Sequence, residues 1–501
     1  MTEVNASDVL LGVDIGTTDT KVLVTTLDGA EILSRAAPSR WDAHGGRYTD
    51  MPADRLAATV LGLLEEAVQQ AAATLGPIRV AGIGVTSMAE AGVLLDERGD
   101  PLFPVIAWYD PRGDEEILRF PAEVLELFCG RTGLPVSPLA TVGKLAWMRD
   151  QGVDLDGKTW LSVAEYLVYR LGGVPAAEMS LLARTGLLDQ DTEALWPAAL
   201  AAVGAGTDLI PPRVLAGTPL GRVDDSRGPV AGELHGAVLT VAGHDHPVAA
   251  VGCGVVGADE LFDSFGTAEA LVQTVPGTLD FAARERLARN GIDAVHHVLS
   301  GRRALLGGTK AGLLLRRVLR LLGADNPEGR EKLDEQAMNL ELGRGAVQGL
   351  QIIGAANDDG VLKIIAAADD LTPAALWQAT LDHVIAEAQT CLTHMAREIG
   401  PAGATVVAGG WIRMRSIRAA KERSLPHVRF SDRSQAGAFG AALFAAHAVS
   451  RADQLATDGD NSAVEVNRPT GPSPHFAAAF GSPTPRSTTS VRRSQPEETL
   501  V

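Results

Sequence analysis

The sequence predicts an α/β protein, because short apolar runs, amphipathic stretches and glycine-containing turns alternate along it. Residues 9–15 and 21–27 are predicted to be two strands of a hairpin, joined by a Gly-Thr-Thr turn. Residues 54–74 repeat apolar side chains at helical spacing and stop at a Gly-Pro pair. A strand over 78–86 follows, which completes one strand–helix–strand unit.

A second strand–Gly-Thr–strand hairpin lies in the middle of the chain. Predicted strands 260–264 and 270–275 flank its Gly-Thr turn, as the first pair of strands flanks theirs. Another predicted strand, 237–242, comes just before this hairpin. The recurrence predicts a duplicated fold.

The carboxyl-terminal third predicts a strand over 405–407, a helix over 416–423 and an Ala/Gly-rich helix over 434–449. Beyond these elements the chain becomes rich in Pro, Ser and Thr, which favours disorder. The predicted organisation is therefore an N-terminal domain, a C-terminal domain and a disordered tail, with the bounds 8–254, 255–450 and 451–501.

Composition excludes several classes of function. The 501 residues carry a net charge of −18, which disfavours nucleic acid and anionic membrane surfaces as partners. Three dispersed cysteines without a metal-binding spacing fit a reducing compartment. The first residues lack the pattern of a signal peptide, and no apolar run reaches the length of a membrane span. We therefore expect a cytoplasmic protein.

The first hairpin turn has the composition of a phosphate-binding loop. Gly16 would let backbone N–H groups approach an anion, while Thr17, Thr18 and Lys21 add hydroxyl donors and a positive charge. Asp14, at the end of the strand, could hold Mg²⁺ through water. The alternative is an ordinary hairpin with polar turn residues.

Two further glycine turns are candidates for the same ligand. Gly266-Thr267 is weak evidence alone, but as a copy of the first turn it could clamp a polyphosphate from the opposite side. Gly409-Gly410, between a strand and a helix, permits close approach of a flat ring or a phosphate.

Asp245 is the candidate general base, because it follows a predicted strand within a polar cluster. His244 and His246 flank it and could suggest a metal. Two histidines without a further ligand cluster are more often hydrogen-bonding residues, which is the interpretation we favour.

An aromatic and charged segment could bind a polyhydroxylated ligand. Trp108 offers a face for stacking, Asp110 and Glu90 accept hydrogen bonds from hydroxyls, and Arg112 donates them. The alternative is a buried tryptophan beside a surface salt bridge.

Taken together and in this order, these segments resemble the FGGY family of carbohydrate kinases over about residues 9–448. The stretch Thr141–Gln151 resembles the first signature of that family, although Leu139 departs from its usual residues. Residues 376–382 resemble the end of the second signature, with shortened spacing before it.

The resemblance implies two actin-like domains with ribonuclease-H-like cores flanking a cleft, and transfer of the ATP γ-phosphoryl group to a hydroxyl of a small sugar or polyol. Candidates are a ketopentose such as xylulose, or a C3–C5 polyol such as glycerol or erythritol. We expect a monomer or homodimer that uses ATP and Mg²⁺. The resemblance also implies roles for individual residues: Asp245 as the base, Asp14 and Asp245 toward Mg²⁺, Gly16, Thr17, Thr18, Lys21, Gly266, Thr267, Gly409 and Gly410 toward ATP, and Glu90, Trp108, Asp110, Arg112 and His246 toward the substrate.

The departures from the family pattern concern specificity. Ala89 precedes Glu90 where glycerol-kinase-like members carry arginine, and His246 stands where Gln or Asn is common. Trp411 follows the diglycine where a small residue is usual, which puts the shape of the adenine pocket in question.

Two alternatives remain. A catalytically idle actin-like protein that binds ATP or sugar would be expected to lack the base or a phosphate loop, and both are present. Another enzyme of the same superfold should lack the signature over 141–151.

Overall fold

The computed structural model describes residues 6–340, 349–354, 361–367, 369 and 371–458, with side chains described up to residue 452. The predicted tail begins at residue 451. Most of it, residues 459–501, lies outside the described residues.

The strands form two large sheets and several small ones. Their bounds are β1 Ser7–Ile15, β2 Asp19–Thr26, β3 Glu31–Pro38, β4 Asp42–His44, β5 Tyr48–Met51, β6 Ile78–Ser87, β7 Gly92–Leu95, β8 Val105–Ile106, β9 Thr159–Ser162, β10 Ala177–Glu178, β11 Leu188–Asp189, β12 Ala194–Leu195, β13 Arg213–Val214, β14 Val238–His244, β15 Glu260–Phe265, β16 Glu269–Pro276, β17 Asp293–His296, β18 Arg302–Thr309, β19 Leu350–Ile353, β20 Lys363–Ala366, β21 Ala404–Ala408 and β22 Val428–Phe430.

Helices connect and cover these sheets. Their bounds are α1 Ala53–Leu75, α2 Asp114–Leu118, α3 Ala122–Thr132, α4 Thr141–Asp150, α5 Val163–Arg170, α6 Met179–Leu182, α7 Pro197–Val203, α8 Asp245–Gly252, α9 Phe281–Arg289, α10 Ala311–Leu321, α11 Pro327–Met338, α12 Pro373–Ile399, α13 Arg415–Ser424 and α14 Ala436–Asp458.

The two large sheets repeat one strand order, which confirms the predicted duplication. The first sheet runs β14-β6-β1-β2-β3, with β1, β6 and β14 parallel and β2 and β3 antiparallel to their neighbours. The second runs β22-β21-β15-β16-β18 with the same pattern, and β17 adds to the β18 edge. The α/β class and the pair of ribonuclease-H-like sheets are therefore as expected.

Local sequence explains the helix that covers the first sheet. The apolar side chains of α1 recur three or four residues apart, and those that gave the helical spacing are buried: Leu56, Val60, Leu63, Leu64, Ala67 and Val68. The helix ends at Gly76, whose φ of 85° favours glycine. Each large sheet packs its own apolar core, and a third core lies among α3, α4 and α7.

The final helix returns to the first sheet. A Cβ on Gly12 of β1 would lie 1.8 Å from the carbonyl oxygen of Ala438, and one on Gly84 of β6 would lie 2.0 Å from that of Ala441. These glycines let the helix backbone rest directly on the strands. The predicted second domain, 255–450, therefore ends in a helix that packs on the first sheet. That helix also extends to Asp458, into the segment predicted as a tail.

None of the helices within the described ranges is long and apolar enough to cross a membrane.

Candidate active site

The parallel strands of the first sheet bring Asp14 and Asp245 to one edge. Asp14 of β1 and Gly243 of β14 are both in register with Thr86 of the strand between them. Because parallel strands end at a common edge, residues that follow them in sequence meet there. Asp245 begins α8, two residues past this register position.

The electrostatics of Asp14 reflect this meeting. Burial and the nearby Asp245 carboxylate raise the pKa of Asp14 to about 7, while Lys21 opposes the shift. Lys21 is the direct partner of Asp14 in the β1–β2 ladder. The start of α14 also adjoins this carboxylate, since a Cβ on Gly437 would lie 2.4 Å from Asp14 Oδ2. Helix amino termini favour negative charge, so this contact opposes the effect of burial on Asp14.

Asp245 is held by its two histidine neighbours. The His246 N–H donates to Asp245 Oδ1 at 2.7 Å, and His244 Nε2 lies 3.3 Å from the same oxygen. Both contacts are to Oδ1, and the side chain keeps 23% of its exposure. Burial and the charge of Arg184 hold the pKa of His244 well below its usual value, so its ring is neutral at pH 7. The His246 ring lies edge-on to that of His244, 5.6 Å between centroids.

Sequence reasoning missed a buried network behind this base. Ser180 Oγ accepts from the His244 N–H at 3.0 Å and donates to Glu178 Oε2 at 2.5 Å. The Glu178 carboxylate also caps α6 by accepting from the amides of Ser180 and Leu181. Thr86 Oγ1 donates to the Gly243 carbonyl at 2.6 Å, so the turn into α8 is fixed from two sides. Glutamate is not among the residues usually preferred at a helix N-cap, so the sequence carried no signal for this cap or for its contact with β14.

The first hairpin turn is fastened by the segment that follows β3. Ser39 Oγ donates to the Gly16 carbonyl at 2.8 Å, and the Ser39 N–H donates to the Thr18 carbonyl at 2.8 Å. Trp41 Nε1 donates to the Thr17 carbonyl at 2.8 Å. These donors occupy the carbonyl oxygens of the turn and fix its shape, which leaves its other groups to face an anion.

Trp108 joins the predicted substrate residues to this turn. Its Nε1 donates to Thr17 Oγ1 at 2.8 Å, so the indole of one predicted subsite supports the loop of another. Its own carbonyl accepts from Lys144 Nζ at 3.1 Å, and the same ammonium donates to the Pro138 carbonyl at 3.0 Å. Lys144 is fully buried, and burial lowers its pKa to about 8. The stretch that resembled the first signature therefore fixes Trp108 through this lysine.

Asp110 and Arg112 have a different environment from the one predicted. Arg112 donates from Nε to Asp110 Oδ1 and from Nη2 to Oδ2, both at 2.8 Å, and from Nη1 to Asp50 Oδ2 at 2.9 Å. The Thr49 N–H adds a bond to Asp110 Oδ2 at 2.5 Å. Both side chains are buried, and the hydrogen bonds from Arg112 hold the Asp110 pKa below its usual value against its burial. The pair forms a salt bridge, as in the alternative interpretation, but the salt bridge is buried instead of lying at the surface, and its polar atoms are engaged within the protein.

Glu90 lies in the interior in an unusual backbone conformation. Its φ is 61°, in the region that side chains other than glycine rarely adopt. Arg184 Nε donates to Glu90 Oε1 at 2.5 Å, and the other end of that guanidinium binds Asp293 of β17. Burial raises the pKa of Glu90 despite the arginine. Neither Arg184 nor Asp293 had a signal in the sequence, since they are more than one hundred residues apart.

The second hairpin carries the other predicted ATP residues. The Gly266 N–H donates to the carbonyl of Ala268, two residues ahead, at 3.0 Å, whereas the Gly16 N–H donates to that of Asp19, three residues ahead, at 3.1 Å. Thr267 is exposed at its tip. Trp411 Nε1 donates to the Gly266 carbonyl at 3.0 Å, so the residue that departs from the family pattern braces this turn.

Gly409 and Gly410 lie where a side chain would clash with the backbone or cover an open surface. Gly409 has a φ of 113°, and a Cβ there would lie 2.3 Å from the Phe265 carbonyl oxygen. A Cβ on Gly410 would meet no atom within 4 Å, so its backbone is open to a ligand.

The donor set suits a magnesium ion that is held mainly by a nucleotide. Within the described ranges, no three His, Cys, Asp or Glu side chains cluster as a self-contained metal site. Asp14 and Asp245 instead supply two mutually repelling carboxylates, the number that Mg²⁺ commonly takes from protein when phosphates and water complete its shell.

Comparison with known proteins agrees with this geometry. Residues 9–252 match the N-terminal domain of the FGGY family of carbohydrate kinases. The N-terminal part of the chain, residues 9–252, belongs to this family. The chain is 27% identical over 278 residues to the L-fuculokinase of Salmonella typhi and 27% identical over 300 residues to the glycerol kinase of Geobacter sp. (strain M21). These matches cover 53% and 56% of the chain and 56% of each relative, so the chain spans about half the length of the curated relatives it matches.

Solved structures with the same fold cover nearly the whole chain. Plasmodium falciparum glycerol kinase with ADP superposes with a TM-score of 0.77 at 16% identity, covering 91% of this chain and 93% of that one. Xylulose kinase from Rhodospirillum rubrum gives 0.76 at 22% identity, covering 94% and 92%. The expected two-domain actin-like fold is thereby confirmed.

Proposed function

We propose that this FGGY protein transfers the γ-phosphoryl group of ATP to a hydroxyl of a small sugar or polyol. The observation that carries the proposal is the meeting of Asp14 and Asp245 at one sheet edge, beside a braced Gly-Thr turn. The kinase names of the curated relatives support the same reaction class.

Asp245 is the proposed general base. Its carboxylate is partly exposed, and its contacts with the two histidines are to Oδ1, so the rest of the carboxylate can accept the proton of an acceptor hydroxyl. The neutral His244 ring orients the carboxylate without adding a charge. The Ser180–Glu178 network holds the strand end that carries this base.

The Gly-Thr turns and the diglycine are the proposed ATP contacts. Lys21 would neutralise phosphate charge, and Asp14 with Asp245 would hold Mg²⁺, which lends charge stabilisation to phosphoryl transfer when bound. Phosphoryl transfer depends mainly on positioning, so braced turns are the property that matters most here.

The proposed acceptor is a small sugar or polyol bound between Trp108, Glu90 and His246. With Asp110 and Arg112 engaged internally, few polar groups remain for substrate hydroxyls. A small set of contacts favours a compact acceptor such as glycerol, erythritol or xylulose, and the relatives add L-fuculose to the panel that should be tested.

A coupled assay of Mg²⁺-dependent ADP release with this panel tests the proposal. Asp245→Asn should lower the rate by about 10² to 10⁴-fold, because a positioned base contributes about that much. Asp100→Asn, an exposed aspartate with the same change, is the matched control and should keep full activity. Both variants should keep the wild-type melting temperature within a few degrees. An unchanged rate in Asp245→Asn would refute the role of Asp245 as the base. If no acceptor of the panel stimulates ADP release, the catalytically idle alternative is favoured.

A further inference from the structure

Arg184 connects the two domains through carboxylates on both sides. Its Nε donates to Glu90 Oε1 at 2.5 Å, and its Nη1 binds Asp293 Oδ2. Glu90 follows β6 of the first sheet, while Asp293 begins β17 at the edge of the second. One guanidinium therefore bridges a residue of the proposed substrate pocket and the opposite domain.

The bridge is buried and cannot be replaced by water. The exposed fractions of the side chains are 9% for Arg184, 7% for Glu90 and 12% for Asp293. Ion pairs in such surroundings are screened little by solvent, and removing one partner leaves an uncompensated charge. The stability of the Arg184–Glu90 pair in the pocket and that of the Arg184–Asp293 pair between the domains are therefore coupled.

The surroundings indicate that the bridge is tuned to the site. Glu90 is held at a φ of 61°, a conformation that persists only when neighbours fix it. On the other side, the N–H of Ala294 donates to the Gly133 carbonyl at 2.8 Å, so the start of β17 docks on the N-terminal domain.

We propose that Arg184 is a positioning residue that couples substrate affinity to domain closure: it orients the Glu90 carboxylate for the acceptor and, through Asp293, makes that orientation depend on contact between the domains. This inference rests on the proposed function, since it deepens the role of the same pocket. When the domains separate, the guanidinium loses Asp293 and is no longer fixed in one position against Glu90, which lies in its own domain. Acceptor binding then favours the closed form, because only that form presents Glu90 correctly.

Asp293→Asn tests the coupling without touching the pocket. The KM for the acceptor should rise about tenfold, within the usual range for coupled sites, while kcat stays within about twofold and the KM for ATP is unchanged. Hydrogen exchange of the peptide around residues 88–92 should become faster by a similar factor. Asp293→Glu, which keeps the charge, should bring both the acceptor KM and the exchange rate most of the way back to the wild-type values.

Glu193→Gln is the matched control. It breaks another ion pair between the same two domains, Arg303 Nη2 to Glu193 Oε1 at 2.7 Å, which does not contact Glu90. Its acceptor KM and its exchange around residues 88–92 should stay near the wild-type values. Equal effects in the two variants would overturn the proposal, because any inter-domain ion pair would then serve.

The outcomes separate this inference from the proposed function. If the wild type phosphorylates an acceptor and Asp293→Asn changes neither KM nor exchange, the coupling is refuted and the kinase function stands. If no acceptor is phosphorylated, the proposed function fails and exchange decides the coupling alone. Unchanged exchange around residues 88–92 in Asp293→Asn would then refute the bridge. Faster exchange in Asp293→Asn, together with a wild-type rate in Asp293→Glu, would support it.

Discussion

The hairpin of β1 and β2 and the hairpin of β15 and β16 each place an aspartate near a lysine, and the two pairs differ in burial. Asp14 and Lys21 are partners across the first ladder, are both partly exposed, and lie beside Asp245. Asp263 lies in β15, but its lysine, Lys421, comes from α13, and the ammonium lies 2.7 Å from Asp263 Oδ2.

The second pair is part of a buried triad. Lys421 also binds Glu269, and the three side chains are at most 2% exposed. The two acidic partners raise the Lys421 pKa. The same topology therefore serves two purposes. The charges of the first hairpin stay available for ligands, while those of the second form ion pairs that hold a helix to its sheet.

The strongest test of this contrast removes each lysine. Lys421→Met should lower the free energy of unfolding by about 3–5 kcal/mol, because it leaves two buried carboxylates without their cation. Lys21→Met should change it by less than about 1 kcal/mol, since that pair is partly exposed, yet should lower the kinase rate. Urea unfolding followed by tryptophan fluorescence measures both. A loss below 1 kcal/mol in Lys421→Met would contradict the contrast.

The packing of the two hairpins differs in the same way. Gly12, four residues before the first Gly-Thr turn, lets α14 rest on β1, whereas Phe262 occupies the corresponding place in β15 and fills a core. Gly12→Ala should cost about 1–3 kcal/mol, because its Cβ would meet a backbone carbonyl that cannot move aside.

Gly62→Ala is its control. A Cβ there meets nothing within 4 Å inside α1, so the change should stabilise by about 0.5–1 kcal/mol. Thermal unfolding compares the two variants, and equal melting temperatures would rule out the proposed close contact.

In the first half, the buried Glu178 carboxyl adds a pH dependence to the stability of the fold. Burial raises the Glu178 pKa to about 7, above an unfolded value near 4.5. The folded state therefore binds more protons between these values. Stability should fall as pH rises through that window, by at most about 1.4 kcal/mol per pH unit, and level off above pH 7.

Glu178→Gln isolates this contribution. Its amide oxygen can accept the same hydrogen bonds from Ser180 and Leu181, but it does not titrate. The difference in unfolding free energy between wild type and variant, measured from pH 5 to 8, should change with pH in the stated direction. A constant difference would show that Glu178 is ionised throughout.

The smallest expected effect comes from the two indoles that brace the turns. Trp108→Phe removes the bond to Thr17 Oγ1, and Trp411→Phe removes the bond to the Gly266 carbonyl. Each loss is worth about 1 kcal/mol, or roughly a fivefold change in KM. Trp411→Phe should raise the KM for ATP alone, while Trp108→Phe should raise that for the acceptor as well. Identical kinetic profiles would remove the functional distinction between the hairpins.

Much of the site was visible in the sequence because the groups involved are local. A glycine turn between two apolar runs requires a hairpin whatever its surroundings, and the apolar spacing of α1 predicts its buried face. The first hairpin, its repeat and the strand leading to Asp245 were therefore predictable to within a few residues.

Contacts between distant segments were decided by the tertiary structure. Asp14 meets Asp245 only because β6 lies between β1 and β14 in a fixed parallel register. The self-contained Asp110–Arg112 pair, the return of α14 and the Arg184 bridge depend likewise on packing between residues far apart in the chain. Side-chain types and local spacing state which groups are available. Which of them are buried, paired or left open is set by the packing of sheets and helices, since that packing fixes both distance and desolvation.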